Sequence, residues 1–494
     1  MSIPNFIKNI FLLLLIYPQI SFCQVKQNQP YNVLFIAVDD LRTELNCYGA
    51  THIKSPNIDR LANNGVKFTN AHVQQAICMA SRASIMSGIR PEKRGIYTGE
   101  SVTDVLPNVL TINKFFEQNG YNIASSGKIY HYPEDTKEQF GNTYINPTAT
   151  WKGKGYVTKE SLEIFKKFKE GPAYEAADVH DTIYPDGINT LNAMRKLEVL
   201  KKENKPFFMA VGLLKPHLPF NAPKKYWDMY PESSIKLSEL TERPENSSKY
   251  TLRVKGELTN YPGMPGSFKE IPDSTAINLR RGYYASVSYI DAQVGNLLNK
   301  LEELGLRENT IVVLWGDHGY KLGDYGSWCK WSNMNIDTNI PFIFNVPNGV
   351  KGETYTHPVE ALDIYPTLAQ LCQLKQPTHI EGKSLVSILK NPKKEPKTKA
   401  YAYSVWPDER WNYEKTVMGY SVTDDQYNYV EWVQLKTGEV VERELYDHKK
   451  DPKETKNVIA DGQYRNVISE LAGKVKLKKE ATDHHHNFKN VKSN

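Results

Sequence analysis

Four stretches of this chain run apolar and then stop at residues able to do chemistry. Asn32–Val38 (NVLFIAV) stops at Asp39 and Asp40. Residues 121–125 lead to Lys128 and His131, 206–211 to Lys215 and His217, and 310–315 to Asp317 and His318. A fifth segment sets Cys78 just before 81–89, an apparent helix ended by Pro91. Two adjacent carboxylates at a buried strand end require a partner, because a buried charge must be paired or bound to a cation. A helix N-terminus presents free N–H groups and partial positive charge, which suits an anionic nucleophile or ligand. A Lys and a His just past a strand end can face one cavity. Taken singly, each feature has an ordinary reading: a capping carboxylate, a surface Lys or His, a buried inert thiol. Four such strand ends and a cysteine are together hard to explain as core chemistry.

These residues need a frame that brings them to one edge. The four runs, with a fifth at 341–346, read as strands of a mostly parallel sheet, the first buried on both faces. In open α/β sheets, ligands sit beyond the carboxyl ends of the strands. Residues 278–304 form the clearest helix, with Val287, Ile290, Val294, Leu297, Leu301 and Leu304 on one face and Gly305 as its stop. Further helices are expected over 184–199 and from Asp363 onward. Residues 222–272, rich in Pro, Ser, Glu and Lys, read as a long irregular excursion, and such excursions are often functional.

The Lys- and Pro-rich stretch 389–399 reads as a domain boundary. Beyond it, 417–422 and 427–433 alternate as antiparallel strands do, and a helix is expected near 464–475. The expected fold is therefore α/β: a catalytic domain over 24–395 with a central, mostly parallel sheet flanked by helices, then a smaller α+β subdomain over 396–494 with an antiparallel sheet. Residues 1–23 carry Lys8, an apolar core at 10–16, and Ser21 and Cys23 as small residues before a cleavage point. This is the pattern of a secretory signal peptide, too short to span a bilayer. The expectation is an exported protein, periplasmic or secreted, with no stable membrane insertion.

The chain has 494 residues, enough for one large and one small domain. Its 62 Lys and Arg against 56 Asp and Glu give a net charge of +6, which fits attraction to polyanions. It lacks the dense basic stripe of a nucleic-acid binder, so no nucleic acid is expected as a partner. Of its five Cys, one lies in the signal segment and one is the candidate nucleophile; the remaining three make no disulfide framework.

The segments NVLFIAVDDLR, CYG, SPNIDRLA, QQAICMASR, SGKIYH, GLLKPHLPF, YYASVSYIDAQVG, GDHGYKLGDYGSWCKWSN and MGYSV together resemble type I sulfatases of the alkaline-phosphatase-like fold, in particular their iduronate-2-sulfatase branch. The likeness spans nearly the whole mature chain. Cys-x-Ala-x-Arg followed by Ser-Gly-x-Arg-Pro resembles that family's maturation signature, with Ala80 where Pro is commoner. The resemblance implies that a formylglycine-generating maturation enzyme oxidises Cys78 to an aldehyde, whose hydrate is the nucleophile. It implies Asp39, Asp40, Asp317 and His318 as metal ligands, with the matured Cys78 completing the shell. Calcium is the family's usual metal, and three carboxylates also suit Mg²⁺. It further implies that Arg82 and Lys128 hold the diol and that Lys330 and His217 grip sulfate. His217 is then the candidate general acid, and His131 the candidate base of the second step.

Lys215, with Arg410 and Trp411 in the segment PDERWNYEK, are candidates for binding the sugar. Leu214 stands where the iduronate-type pattern has His, so the sugar-facing pocket departs from that pattern. The expected activity is hydrolysis of sulfate esters on a sulfated polysaccharide or its oligosaccharides. Glycosaminoglycans with 2-sulfated uronate are one class, and algal polysaccharides such as ulvan or carrageenan the other. Two alternatives stand beside it: a phosphate or phosphonate ester hydrolase of the same fold, and a glycan-binding protein whose Cys78 is never matured.

Overall fold

A computed structural model describes residues 30–97, 101–145, 155–408 and 415–480. The signal segment, Arg410, Trp411 and the polar tail from 481 lie outside the described residues.

The central sheet has eight strands. In chain order they are β1 (Asn32–Val38), β2 (Val66–Phe68), β3 (Asn122–Gly127), β4 (Tyr144–Ile145), β5 (Phe207–Leu213), β6 (Thr310–Gly316), β7 (Phe342–Asn345) and β8 (Glu353–Tyr355). Across the sheet the order is β8-β2-β7-β6-β1-β5-β3-β4. β1 lies between β5 and β6 and is parallel to both, and β3 is parallel to β5. β7 runs antiparallel to β6 and β2, so the sheet is mixed at one side. All seven residues of β1 are buried. Alternation sends Leu34, Ile36 and Val38 into one core layer, and Val33, Phe35 and Ala37 into the other.

Helices fill both layers. α1 (Cys78–Ser87), α2 (Ile112–Gln118) and α5 (Ile364–Leu371) contribute Ile85, Phe115 and Ile364 to one face of the sheet. α3 (Pro185–Glu203) and α4 (Asp273–Glu303) contribute Leu197 and Ile290 to the other. This two-sided covering is why the strands read as continuous apolar runs. The register matters for the site. Val38 pairs with Leu213 on one side and Gly316 on the other, so β1, β5 and β6 end level. Asp39, Leu214 and Asp317 are thus the first residues past three neighbouring strands. Between Pro223 and Pro272 the chain is mostly irregular, with short helical turns.

A second, antiparallel sheet follows: β9 (Ala402–Pro407), β10 (Val417–Thr423), β11 (Tyr427–Gln434) and β12 (Val440–Asp447). α6 (Arg465–Glu480) places Leu471 and Val475 in one cluster with Val422 and Tyr429 of that sheet. The sheet is tied to the segment before α1, where Val405 N donates to the Gln74 carbonyl at 2.8 Å and Ser404 Oγ to the Val73 carbonyl at 2.6 Å. Among the described residues, no helix is long and apolar enough to cross a membrane.

Candidate active site

The end of β1 sets the geometry. Asp39 continues the ladder, its N–H donating to the Leu213 carbonyl at 3.0 Å. Asp40 then leaves it with φ of 57°, a left-handed conformation that costs energy for a residue with a side chain. Two bonds fix that turn: Asp40 N–H donates to Asp317 Oδ1 at 2.9 Å, and the Tyr283 hydroxyl donates to the Asp40 carbonyl at 2.7 Å. The two carboxylates meet different cations as a result.

Asp39 faces Arg82 and Lys128. Arg82 Nη2 lies 3.0 Å from Asp39 Oδ1, and Lys128 Nζ 2.6 Å from Asp39 Oδ2. Arg82 Nε also donates to Asp317 Oδ2 at 2.9 Å, while its Nη1 donates to the Lys128 and Ile129 carbonyls. Arg82 is fully buried. Its position is set by α1, since Cys78 and Arg82 are four apart and share a helix face. Burial alone would raise the Asp39 carboxyl, but Lys128 and Arg82 outweigh it and hold it well below the usual carboxylate range.

Asp40 faces Lys330, whose Nζ lies 2.9 and 3.0 Å from its two oxygens. Lys330 sits between Cys329, at φ 68°, and Trp331, at φ 87°, so a strained turn presents it.

Cys78 is the first residue of α1 rather than a residue before it. Its Sγ lies 3.2 Å from His318 Nε2 and 3.9 Å from Asp40 Oδ1. Burial and Asp39 push the thiol up, but Lys330, Lys128 and His318 more than offset them, leaving it well below its ordinary value. His318 Nε2 also lies 3.3 Å from Asp40 Oδ1 and 3.7 Å from Asp317 Oδ1.

The loop after β5 carries Lys215 and His217. Asp186, near the start of α3, pins it by accepting from the N–H groups of Leu214 at 2.7 Å and Lys215 at 2.9 Å. His217 Nδ1 meets the Leu218 carbonyl at 2.6 Å, and its Nε2 lies 3.4 Å from Glu257 Oε1. Burial pulls His217 down, but Glu257 and Asp40 more than compensate, raising it to about 9. Lys215 turns its Nζ to the carbonyls of His217 and Pro219, at 2.7 and 2.6 Å, and burial lowers it to about 8.

Glu257 joins the two halves of this wall, reaching Lys330 Nζ at 3.2 Å through Oε2. Nothing in the sequence marked it, since it lies in the aperiodic excursion after Ala222. His131 lines the same cavity, with Nδ1 buried and, among the described residues, without a hydrogen-bond partner. The cavity holds about 430 Å³ and is bordered by Asp39, Cys78, Lys128, His131, His217 and Lys330.

The donor set fits a divalent cation. Asp39, Asp40 and Asp317 are fully buried, and an oxygen from each lies within 4.8 Å of the others. Burial and the neighbouring Asp39 push the Asp317 carboxyl up to about 8, the strain expected of like charges crowded together. Hard oxygen donors of this kind suit Ca²⁺ or Mg²⁺. Cys78 lies buried beside His318 and Asp40 at the cavity wall.

A family model described as sulfatase matches residues 31–374, and one described as N-sulphoglucosamine sulphohydrolase, C-terminal, matches 323–481. Fold and family together define a sulfuric ester hydrolase. The chain belongs to the sulfatase family. It is 32% identical to iduronate 2-sulfatase of Mus musculus, over 89% of this chain and 93% of that one. It is 28% identical to an ulvan-active sulfatase of Formosa agariphila, over 92% of this chain and 82% of that one. A solved structure in complex with its substrate D-glucosamine-2-N,6-O-disulfate aligns with TM-score 0.71 and 21% identity, over 94% of this chain and 100% of that one. A phosphonate monoester hydrolase from Silicibacter pomeroyi aligns with TM-score 0.72 and 19% identity, over 92% and 96%. At such identities the two structures show the alkaline-phosphatase-like fold alone.

Proposed function

We propose that this sulfatase is exported and removes sulfate esters from a sulfated polysaccharide or its oligosaccharides, using formylglycine made from Cys78 and a bound Ca²⁺ or Mg²⁺. The observation that carries the reading is the position of Cys78. It opens α1 at the cavity wall, in contact with His318 and Asp40, beside the buried carboxylate cluster.

Once in place, the hydrated aldehyde supplies a hydroxyl nucleophile, and the cation neutralises charge on sulfate and lowers that hydroxyl's pKa. Asp39, Asp40, Asp317 and His318 would hold the cation. The rest falls to this chain's own side chains. Lys330 and Lys128 place two positive charges at the cavity wall, where sulfate oxygens carry negative charge. Arg82 holds Asp39 and Asp317 in place through its fixed fork. His217, kept protonated by Glu257, donates from Nε2 to the departing sugar oxygen. His131 accepts a proton in the second step, when sulfate leaves.

The relatives divide over substrate, since one acts on iduronate 2-sulfate by name and another is ulvan-active. Sulfate release is therefore to be measured on 2-sulfated uronate disaccharides, on ulvan and carrageenan oligosaccharides, and beside them on a phosphonate monoester. Release from any sulfated sugar well above phosphonate hydrolysis supports the reading. A phosphonate preference would overturn it in favour of the phosphoester alternative.

A further inference from the structure

A second cleft opens beside the catalytic cavity, of about 470 Å³, and the two share Glu257 and Trp331 as a common wall. Its other lining residues are Arg253, Lys255, Thr259 and Asn260, with the backbone of Gly256. The wall is built rather than incidental. Trp331 adopts φ of 87°, a conformation that a bulky residue takes only when its surroundings impose it. Arg253 lies over the Trp331 ring at 5.7 Å and over the Trp406 ring at 5.5 Å, and donates to the Asp408 carbonyl at 2.6 Å. Gly256 completes the seat, since a Cβ there would stand 2.3 Å from the Trp331 ring. Arg253 and Gly256 thus fix the indole, which separates the reacting cavity from the cleft.

The charge of the cleft is positive. Lys255 is exposed and makes no ion pair among the described residues. Arg253 is engaged with the two indole rings and the Asp408 carbonyl, and the Glu257 carboxylate is occupied by Lys330 and His217, so Lys255 is the cation the cleft offers. Asn260 adds a neutral hydrogen-bonding group, while the Thr259 hydroxyl is bonded to the Gly256 backbone. An indole wall, an amide and a lysine cation form a combination that recognises a charged sugar.

Resting on the sulfatase reading above, we propose that this cleft binds the anionic sugar unit next to the one being desulfated. The preferred substrate is then an oligosaccharide with a carboxylate or sulfate on the adjoining unit, not a single sulfated sugar. Lys255 supplies the charge recognition and Trp331 the platform.

The test is calorimetric titration of the full chain with heparin-derived disaccharide and tetrasaccharide, and with ulvan oligosaccharides of two lengths, beside sulfate release from each. Wild type is expected to bind the longer member of a pair more tightly. Lys255→Glu, at an exposed position, is expected to weaken the longer member about fivefold and the shorter less than twofold, in line with exposed ion pairs. Trp331→Phe, which keeps a ring, is expected to retain more of the length preference than Trp331→Ala. Equal affinity for both lengths in wild type, or equal losses on both in Lys255→Glu, would overturn the proposal even where sulfate is released. A length preference lost in Lys255→Glu, without sulfate release from any probe, would keep the cleft and overturn the hydrolase reading. No binding of any oligosaccharide would overturn the cleft.

Discussion

At the scale of single residues, Arg82 and Lys128 both pair with Asp39 but differ in what depends on them. Arg82 is wholly buried and is bonded to two carboxylates and two carbonyls. Arg82→Met strands those groups, so it should cost about 3–5 kcal/mol of stability as well as activity. Lys128 is partly exposed, and Asp39 keeps Arg82 without it. Lys128→Met should therefore leave the melting temperature near that of wild type while sulfate release falls; thermal melts beside activity assays separate the two. His217→Ala tests the acid. It should lower turnover of a sugar sulfate by about 10²–10⁴-fold, and lower an activated aryl sulfate far less, because that leaving group departs without a proton. Equal losses on both would remove the acid role. Much of this site was legible at residue scale, since Asp39, Asp40, Asp317 and His318 each interrupt an apolar run where a core strand would continue. Glu257 was not legible. It reaches His217 and Lys330 from 40 and 73 positions away in the chain, and no periodic pattern surrounds it.

At the scale of elements, the strand ends create the site by ending level, and the loops between them need anchors. Asp186 is one such anchor, because its carboxylate takes up the N–H groups of Leu214 and Lys215. Asp186→Ala leaves those two buried donors unpaired, at about 1–3 kcal/mol for each. It should lower the denaturation midpoint and, by releasing the loop, reduce activity more on sugar sulfates that need His217 than on aryl sulfates. The long strands were visible as apolar runs, and β1 falls on the residues its sequence indicates. β3 and β5 each extend two residues beyond their apolar runs, because Ser126, Gly127, Gly212 and Leu213 still pair in the sheet. β9 and β12 carried no comparable signal. β12 alternates half-buried and exposed residues over Val440–Arg443 at a sheet edge. β7 was readable as a strand at 341–346 but its antiparallel direction was not, since strand direction depends on pairing partners and not on composition.

At the scale of the molecule, the second sheet buttresses the catalytic one. Asn333, two residues past Trp331, donates to the Gly419 carbonyl at 2.9 Å, and Asn428 donates to the Asn333 carbonyl at 3.1 Å. Glu454 accepts from Asn335 N–H at 2.8 Å and from Asn428 at 2.7 Å. The turn presenting Lys330 and the approach to Cys78 thus both lean on residues beyond 395. Glu454→Ala should lower the melting temperature and sulfate release together, and restoring the acceptor as Gln should recover part of each. If the buried carboxylates hold the proposed cation, folding is coupled to it. Adding Ca²⁺ at about 100 times its dissociation constant should stabilise the protein by about 2.7 kcal/mol, and chelation should lower both melting temperature and activity. A melting temperature indifferent to Ca²⁺ and Mg²⁺ would remove the cation from the site.

The most direct measurement is the mass of the peptide spanning Cys78, taken from protein produced with a maturation enzyme, beside sulfate release by the same preparation. The expected result is conversion of the thiol to the aldehyde, sulfate release in proportion to the converted fraction, and none from Cys78→Ala. Sulfate release at full rate by protein whose Cys78 remains a thiol would contradict it.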